Sequence, residues 1–135
     1  MDFQLKEVRY YQDQGGRGDL SGLKLVFANG LESPLYENDR QDADHVEKTL
    51  SIDPEIRVAS MQVKSDGNGH WIKGFKFSDE DDKPIAEKGF NVTHHVGSWS
   101  DMKRIPDGQR IIGFKAGNNR EHACVFLRFI LGNSE

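Results

Sequence analysis

The stretch Arg110–Leu131, with the sequence RIIGFKAGNNREHACVFLRFIL, decides the fold that we expect for this chain. It opens with the apolar run Ile111–Phe114, and apolar side chains alternate with others over Cys124–Leu131. An alternation with a period of two predicts a β-strand, because successive side chains of a strand point to opposite faces. Between the two runs, Gly117–Asn119 are residues that adopt turn conformations readily. We therefore interpret this stretch as two strands joined by a short polar loop.

The opening of this stretch recurs along the chain. Gly-Leu-Lys-Leu begins at Gly22, Gly-Phe-Lys-Phe at Gly74 and Gly-Phe-Lys-Ala at Gly113, and we call these three tetrapeptides the repeat motif. Regular recurrence of one strand-loop-strand unit predicts a fold built from three similar parts. We expect the shared core to include Leu25, Phe77 and Phe114.

The rest of the chain indicates the same fold class. It has 135 residues, of which 14 are glycine and only 4 are proline, and its hydrophobic fraction is 36%. Short alternating segments between turn residues, including one that begins at Ile56, predict about ten to twelve strands and almost no helix. We therefore predict a single all-β domain over residues 1–135, built as a sandwich, a barrel or a prism.

Composition argues against several classes of function. The net charge is −4 and the pI is about 5.7, so the chain lacks the basic surface that nucleic acid requires. Cys124 is the single cysteine, which excludes an intramolecular disulfide and a cysteine-based zinc site. No apolar run is long enough to span a bilayer, and residues 1–12 lack the pattern of a secretion leader. We expect a soluble cytoplasmic or intracellular protein without membrane insertion.

Patterns typical of catalysis and metal binding are also missing from the sequence. The acidic run Asp79–Asp82 lacks the alternating spacing and the glycine of a calcium loop, so we interpret it as a solvated turn. No grouping of serine, histidine and aspartate and no phosphate-binding loop is recognisable. We expect no enzymatic activity, no cofactor and no metal.

Two parts of the chain resemble a known family. Pro54–Ile56 followed by Ile72–Phe77 and ending at Gly89 is similar to the central repeat of jacalin-related lectins. Arg110–Lys115 resembles the last repeat of that family, and Val125–Leu127 its final strand. The resemblance implies a β-prism, in which three four-stranded Greek-key sheets surround a pseudo-threefold axis. It agrees with the three copies of the repeat motif.

The resemblance also implies a sugar site in the loop of the last repeat, with the signature Gly-x-x-x-Asp. Aligned without gaps from Gly113, the signature aspartate falls on Ala123, which cannot accept hydrogen bonds from sugar hydroxyls. A shifted alignment gives Gly-x-x-x-Glu and ends on a carboxylate. The candidate ligand loop is thus Gly117, Asn118, Asn119, Arg120 and Glu121. With alanine at position 123, we expect mannose and galactose to bind weakly or not at all.

The final strand predicts a second surface. If Leu127 and Phe129 face the core, Phe126, Arg128 and Ile130 face outward, and we call these three residues the partner face. Apolar and arginine side chains in one exposed row are typical of a surface that another segment covers. The alternatives are a protein partner, which we favour, and residues 1–5 of the same chain.

These patterns leave two functions open. We interpret the chain as a non-catalytic protein-interaction or assembly module on a jacalin-like lectin fold, acting as a structural subunit of a larger homo- or hetero-oligomer. The alternative is a carbohydrate-binding lectin that recognises mono- or oligosaccharides. Ala123, in place of the acid, argues for the first function.

Overall fold

A computed structural model of the chain describes residues 4–13, 20–37, 45–53, 55–65, 72–91, 98–118 and 124–133. These residues form eleven β-strands. Among them there is no helix of the length and hydropathy needed to cross a membrane. The strands are β1 (Leu5–Asp13), β2 (Leu20–Phe27), β3 (Tyr36–Glu37), β4 (His45–Ser51), β5 (Ser60–Ser65), β6 (Ile72–Ser78), β7 (Pro84–Asn91), β8 (Ser98–Trp99), β9 (Lys103–Arg104), β10 (Gln109–Asn118) and β11 (Cys124–Asn133).

The strands form three antiparallel sheets. The order is β3-β2-β1-β4 in the first sheet and β7-β6-β5-β8 in the second, where β9 also pairs with β5. In both sheets three consecutive strands are followed by a fourth that returns beside the first of them, which is the Greek-key order. The third sheet contains β10 and β11.

The repeat motif lies on β2, β6 and β10, which are the second strands of the first two sheets and the first strand of the third. In the first two sheets the motif glycine lies between two neighbouring strands: Gly22 is opposite Tyr11 and Glu37, and Gly74 is opposite Lys64 and Asn91. In the third sheet Gly113 lies opposite Ile130 of β11, and β10 has no second neighbour among the described residues. The three sheets predicted from the sequence are therefore present, but the motif marks a different strand in the third sheet, for which fewer strands are described.

Aromatic side chains join the three sheets at one core. Tyr10 from the first sheet meets Phe75 of the second edge-to-face, with ring centroids 5.6 Å apart. Phe129 from the third sheet contacts Phe75 at 6.2 Å and Phe77 at 5.1 Å. Such edge-to-face pairs stabilise a core beyond the burial of their area. Three sheets around one apolar core form the β-prism that the sequence predicts.

The predicted core residues lie in or against this core. Leu25 and Phe77 are fully buried, and Phe114 is partly buried and packs against the core cluster. The strands β2 and β6, which carry Leu25 and Phe77, are buried along almost their whole length. Residues of both of their faces are thus covered, unlike Lys115 and Arg128 of the third sheet, which are exposed.

The burial of Phe77 in this core leads to a prediction about stability. Phe77→Ala should lower the free energy of unfolding by roughly 3–5 kcal/mol, because a large cavity would remain where the three sheets meet. Leu31→Ala is the control, since the side chain of Leu31 is 60% exposed, and it should change stability by at most about 0.5 kcal/mol. Urea denaturation followed by circular dichroism measures both. Equal small effects would contradict a core centred on Phe77.

Candidate functional site

The β10–β11 hairpin carries most of the residues that the sequence singles out. Its pairing ends where Asn118 lies opposite Cys124, so the residues 119–123 alone join the two strands. Of the candidate ligand loop Gly117–Glu121, the first two residues lie at the end of β10, and residues 119–121 lie outside the described residues. Ala123 lies outside them as well. In the sequence Glu121 is the central residue of this five-residue connection.

A close contact across the hairpin fixes glycine at position 117. Gly117 lies opposite Phe126, and a Cβ atom at this glycine would overlap Cε1 of the Phe126 ring and lie 3.1 Å from Cζ. Any larger residue would have to displace that ring. The ring therefore lies across the end of β10, against Gly117, which is the first residue of the candidate ligand loop.

The structure places the partner face on the outside of the third sheet. Phe126 is 49% exposed, Arg128 is exposed and Ile130 is partly exposed. Leu127 and Phe129, between them, are buried. The outward row of apolar and arginine side chains thus exists, whereas its role as a binding surface remains a prediction.

Ile112 belongs to the same outer surface, although the sequence pattern places it in one apolar run with the core residues beside it. Its side chain is 42% exposed. The register shifts between Ile111 and Gly113, so Ile112 is the extra residue of a β-bulge. The bulge turns the side chain outward, over Gly132, where a Cβ atom would lie 2.6 Å from Cδ1 of Ile112. The sequence signal for this bulge is the pair of adjacent isoleucines, Ile111 and Ile112, because strict alternation cannot bury both side chains.

An apolar groove runs between the third sheet and the first. Its volume is about 780 Å³, within the range typical of ligand-binding pockets. One wall is formed by β10 together with Phe126 and Ile130, and the opposite wall by the segment Leu31–Tyr36 that leads into β3. Leu31 and Leu35 are exposed on that wall.

Positive charge dominates the outer surface of the hairpin. Lys115 lies directly opposite Arg128. Within the part of the chain that the structure describes, neither forms an ion pair. Two like charges directly opposite each other in an antiparallel pair are destabilising. This pair therefore favours an anionic group in front of it.

The carboxylate of Glu32, on the groove wall, forms an ion pair with a lysine. Glu32 accepts a hydrogen bond of 2.7 Å from Nζ of Lys24. This ammonium group lowers the pKa of Glu32 from its ordinary value, so the carboxylate remains ionised and paired. The carboxylate of Glu32 is therefore engaged with Lys24 rather than with Lys115 or Arg128 among the described residues.

The acidic run is a hydrogen-bonded turn in the structure. Oδ1 of Asp79 accepts hydrogen bonds from the backbone N–H groups of Asp81 and Lys83, at 2.8 and 3.0 Å. The two carboxylate oxygens of Asp82 accept hydrogen bonds from Arg104, at 2.9 and 3.1 Å. Across the described ranges, no cluster of three or more histidine, cysteine, aspartate or glutamate residues could hold a metal ion.

Comparison with known proteins gives a clear result at the level of structure. No protein-family model matches the chain. No curated protein sequence matches it either. A crystal structure of a prostate-specific WGA16 glycoprotein lectin matches 99% of this chain and 86% of its own, with a TM-score of 0.68 and 11% sequence identity. This chain has a jacalin-like lectin fold.

A second lectin structure agrees. The lectin MPA, in complex with the T-antigen disaccharide, matches 95% of this chain and 91% of its own, with a TM-score of 0.59 and 14% identity. Both neighbours are lectins, and the likeness bears out the all-β prism that the resemblance to jacalin-related lectins implies. At identities of 11% and 14%, the likeness to these two structures establishes the fold of this chain.

The facing cations of the hairpin generate a prediction. Lys115→Glu should raise the free energy of unfolding by roughly 0.2–1 kcal/mol, because it replaces a repulsive pair by an attractive one. The gain should shrink in 1 M salt, where exposed charges are screened. Lys48→Glu on β4 is the matched control, since Lys48 is exposed and lies opposite Tyr10. Urea titrations at low and high salt measure the effect, and a salt-independent change would contradict an electrostatic cause.

Proposed function

We propose that this chain is a carbohydrate-binding lectin whose site lies at the end of the β10–β11 hairpin. The observation that carries the proposal is the likeness to two lectins over 99% and 95% of the chain. One of those lectins holds a disaccharide. The comparisons thus favour the alternative drawn from the sequence over the protein-interaction module, for which they offer no support.

The proposed site uses the candidate ligand loop. Gly117 and Asn118 end β10 at the point where five residues connect it to β11. In this proposal backbone N–H groups of the candidate ligand loop donate hydrogen bonds to sugar oxygens.

Glu121 supplies the charged acceptor in this proposal. The alanine at position 123 offers no side-chain oxygen atom, and Glu121 is the carboxylate of the connecting residues. A hydrogen bond from a sugar hydroxyl to a charged carboxylate contributes about 1.5–3 kcal/mol. A lectin that makes few contacts depends on such a bond. The altered position of the acid also explains why simple mannose and galactose should bind poorly while a larger saccharide, with more hydroxyl groups, binds better.

Calorimetry tests this assignment. An oligosaccharide panel that includes the T-antigen disaccharide, galactose and mannose should contain at least one saccharide with saturable binding. Glu121→Gln removes the charge and keeps the size, so it should weaken that binding about 10- to 150-fold, the equivalent of roughly 1.5–3 kcal/mol.

Glu80→Gln provides the matched control. Glu80 lies in the turn between β6 and β7, and its side chain is 69% exposed. This variant should bind saccharide like the unmodified chain. Lack of saturable binding across the panel would contradict the proposed function, and binding that survives Glu121→Gln would contradict the proposed site.

A further inference from the structure

Trp99 on β8 lies close to two lysine side chains of the second sheet. The ammonium nitrogen of Lys76 is 4.4 Å from the centroid of the indole ring, and that of Lys64 is 5.9 Å from it. Both distances fall within the range of a cation–π interaction, which extends to about 6 Å. We call Trp99, Lys64 and Lys76 the tryptophan cluster. It belongs to the sheet in which β7, β6, β5 and β8 pair side by side.

The strand register places the tryptophan cluster on the outer face of this sheet. Lys76 lies between Phe75 and Phe77, which are buried in the core, so its side chain points away from the core. Lys64 is directly opposite Trp99, and residues directly opposite each other in an antiparallel pair lie on the same face. Trp99 and Lys76 are partly exposed and can therefore contact a ligand.

Hydrogen bonds around Ser100 hold the indole ring in place. The N–H group of Ser100 donates to the carbonyl oxygen of Val63 at 2.8 Å, and its hydroxyl oxygen accepts the N–H group of Val63 at 3.1 Å. Its carbonyl oxygen accepts the side-chain amide of Gln62 at 2.9 Å. Lys76 crosses β5 to reach Trp99, because β6 and β8 lie on opposite sides of β5. The ring and the ammonium group are thus positioned before a ligand binds.

The charges of the tryptophan cluster favour an anionic ligand. Among the described residues Lys76 forms no ion pair with a carboxylate. Asp101, two residues beyond Trp99, is exposed and forms no ion pair within the described ranges either. An ammonium group has three N–H donors, and its contact with the face of an aromatic ring leaves donors for another acceptor. Lys76 can therefore donate to an anion while the ring holds it.

We propose that the tryptophan cluster binds an acidic saccharide, whose carboxylate accepts a hydrogen bond from Lys76 and whose C–H groups pack on the exposed part of Trp99. A hydrogen bond between an ammonium group and a carboxylate is about twice as strong as a neutral one. The C–H side of a sugar ring is apolar and suits the indole, while the sugar hydroxyl groups remain in water. This second site rests on the proposed function of the chain as a lectin, and adds to it a preference for a negatively charged sugar.

The two proposed sites differ in the ligand charge that they accept. Glu121 supplies a carboxylate in the candidate ligand loop, so a carboxylate on the ligand would be repelled there. In the tryptophan cluster both charged side chains, Lys64 and Lys76, are cations. An acidic sugar is therefore directed to the second sheet, and a neutral one to the hairpin.

A pair of matched sugars tests the charge preference. Methyl β-glucuronide and methyl β-glucoside carry a carboxylate and a hydroxymethyl group, respectively, at the same ring position. The indole N–H signal of Trp99, followed by NMR on the isotope-labelled full chain and assigned with Trp99→Phe, should shift saturably with the glucuronide. The glucoside should bind about tenfold more weakly, because it lacks the charged acceptor. A Trp99 signal that shifts with neither sugar, or equal binding of both, would contradict the proposal.

Variants of Lys76 test its role in binding. Lys76→Gln should weaken binding of the glucuronide about tenfold, whereas Lys76→Arg, which keeps a cation near the ring, should preserve it. Lys48→Gln is the matched control, because Lys48 is exposed on β4 of the first sheet, and it should leave binding unchanged. The amide NMR spectrum verifies that each variant is folded. Unchanged glucuronide binding in the folded Lys76→Gln protein would contradict the proposed position.

Two further measurements distinguish the ligand class and the two sites. N-acetylglycine carries a carboxylate without a sugar ring, so it should bind more weakly than the glucuronide, and equal binding would contradict a saccharide site in favour of a general anion site. The glucuronide should bind Glu121→Gln normally, and the neutral saccharide selected from the oligosaccharide panel should bind Lys76→Gln normally. Failure of the hairpin site is thus distinguishable from failure of the tryptophan cluster.

Discussion

The contacts that Phe129 makes with Phe75 and Phe77 hold the third sheet to the rest of the prism. A two-stranded hairpin is marginally stable in water by itself, so β10 and β11 depend on packing to remain ordered. Phe129 and Leu127, both buried, supply that packing from the inner face of β11. Tyr10 brings the first sheet to the same aromatic cluster. Anchorage through the inner face of β11 leaves Phe126 and Arg128, on its outer face, exposed among the described residues.

The proposed saccharide site uses the end of this hairpin. In the sequence the connection 119–123 contains one carboxylate, that of Glu121. The apolar groove lies along the same hairpin, between the third sheet and the segment Leu31–Tyr36. The ring of Phe126 lines this groove and also contacts Gly117 at the end of β10. It therefore connects the proposed site with the outer surface of the third sheet.

Local patterns in the sequence predicted most of the fold. The repeat motif located β2, β6 and β10, and alternation located β11 with Leu127 and Phe129 inside. The strand expected from Ile56 begins later, at Ser60, because Asp53 forms a turn: its Oδ1 and its carbonyl oxygen accept the N–H groups of residues 55 and 56. The outward side chain of Ile112 depends on a bulge, for which the two adjacent isoleucines are the local signal. The groove depends on how the third sheet lies beside the segment Leu31–Tyr36, which is distant in sequence. Such packing leaves no local pattern, so the sequence could not predict the groove.

Hydrogen exchange in a Phe129→Ala variant tests the central claim, that the aromatic contacts of Phe129 hold the third sheet to the rest of the prism. Without this packing the hairpin is a marginally stable pair of strands, so the amide protons of β10 and β11 should exchange much faster than in the unmodified chain, and their loss of protection should exceed that of β2. Residue-resolved exchange measured by NMR on the full chain distinguishes these amides. Unchanged protection of β10 and β11 in the variant would contradict the claim.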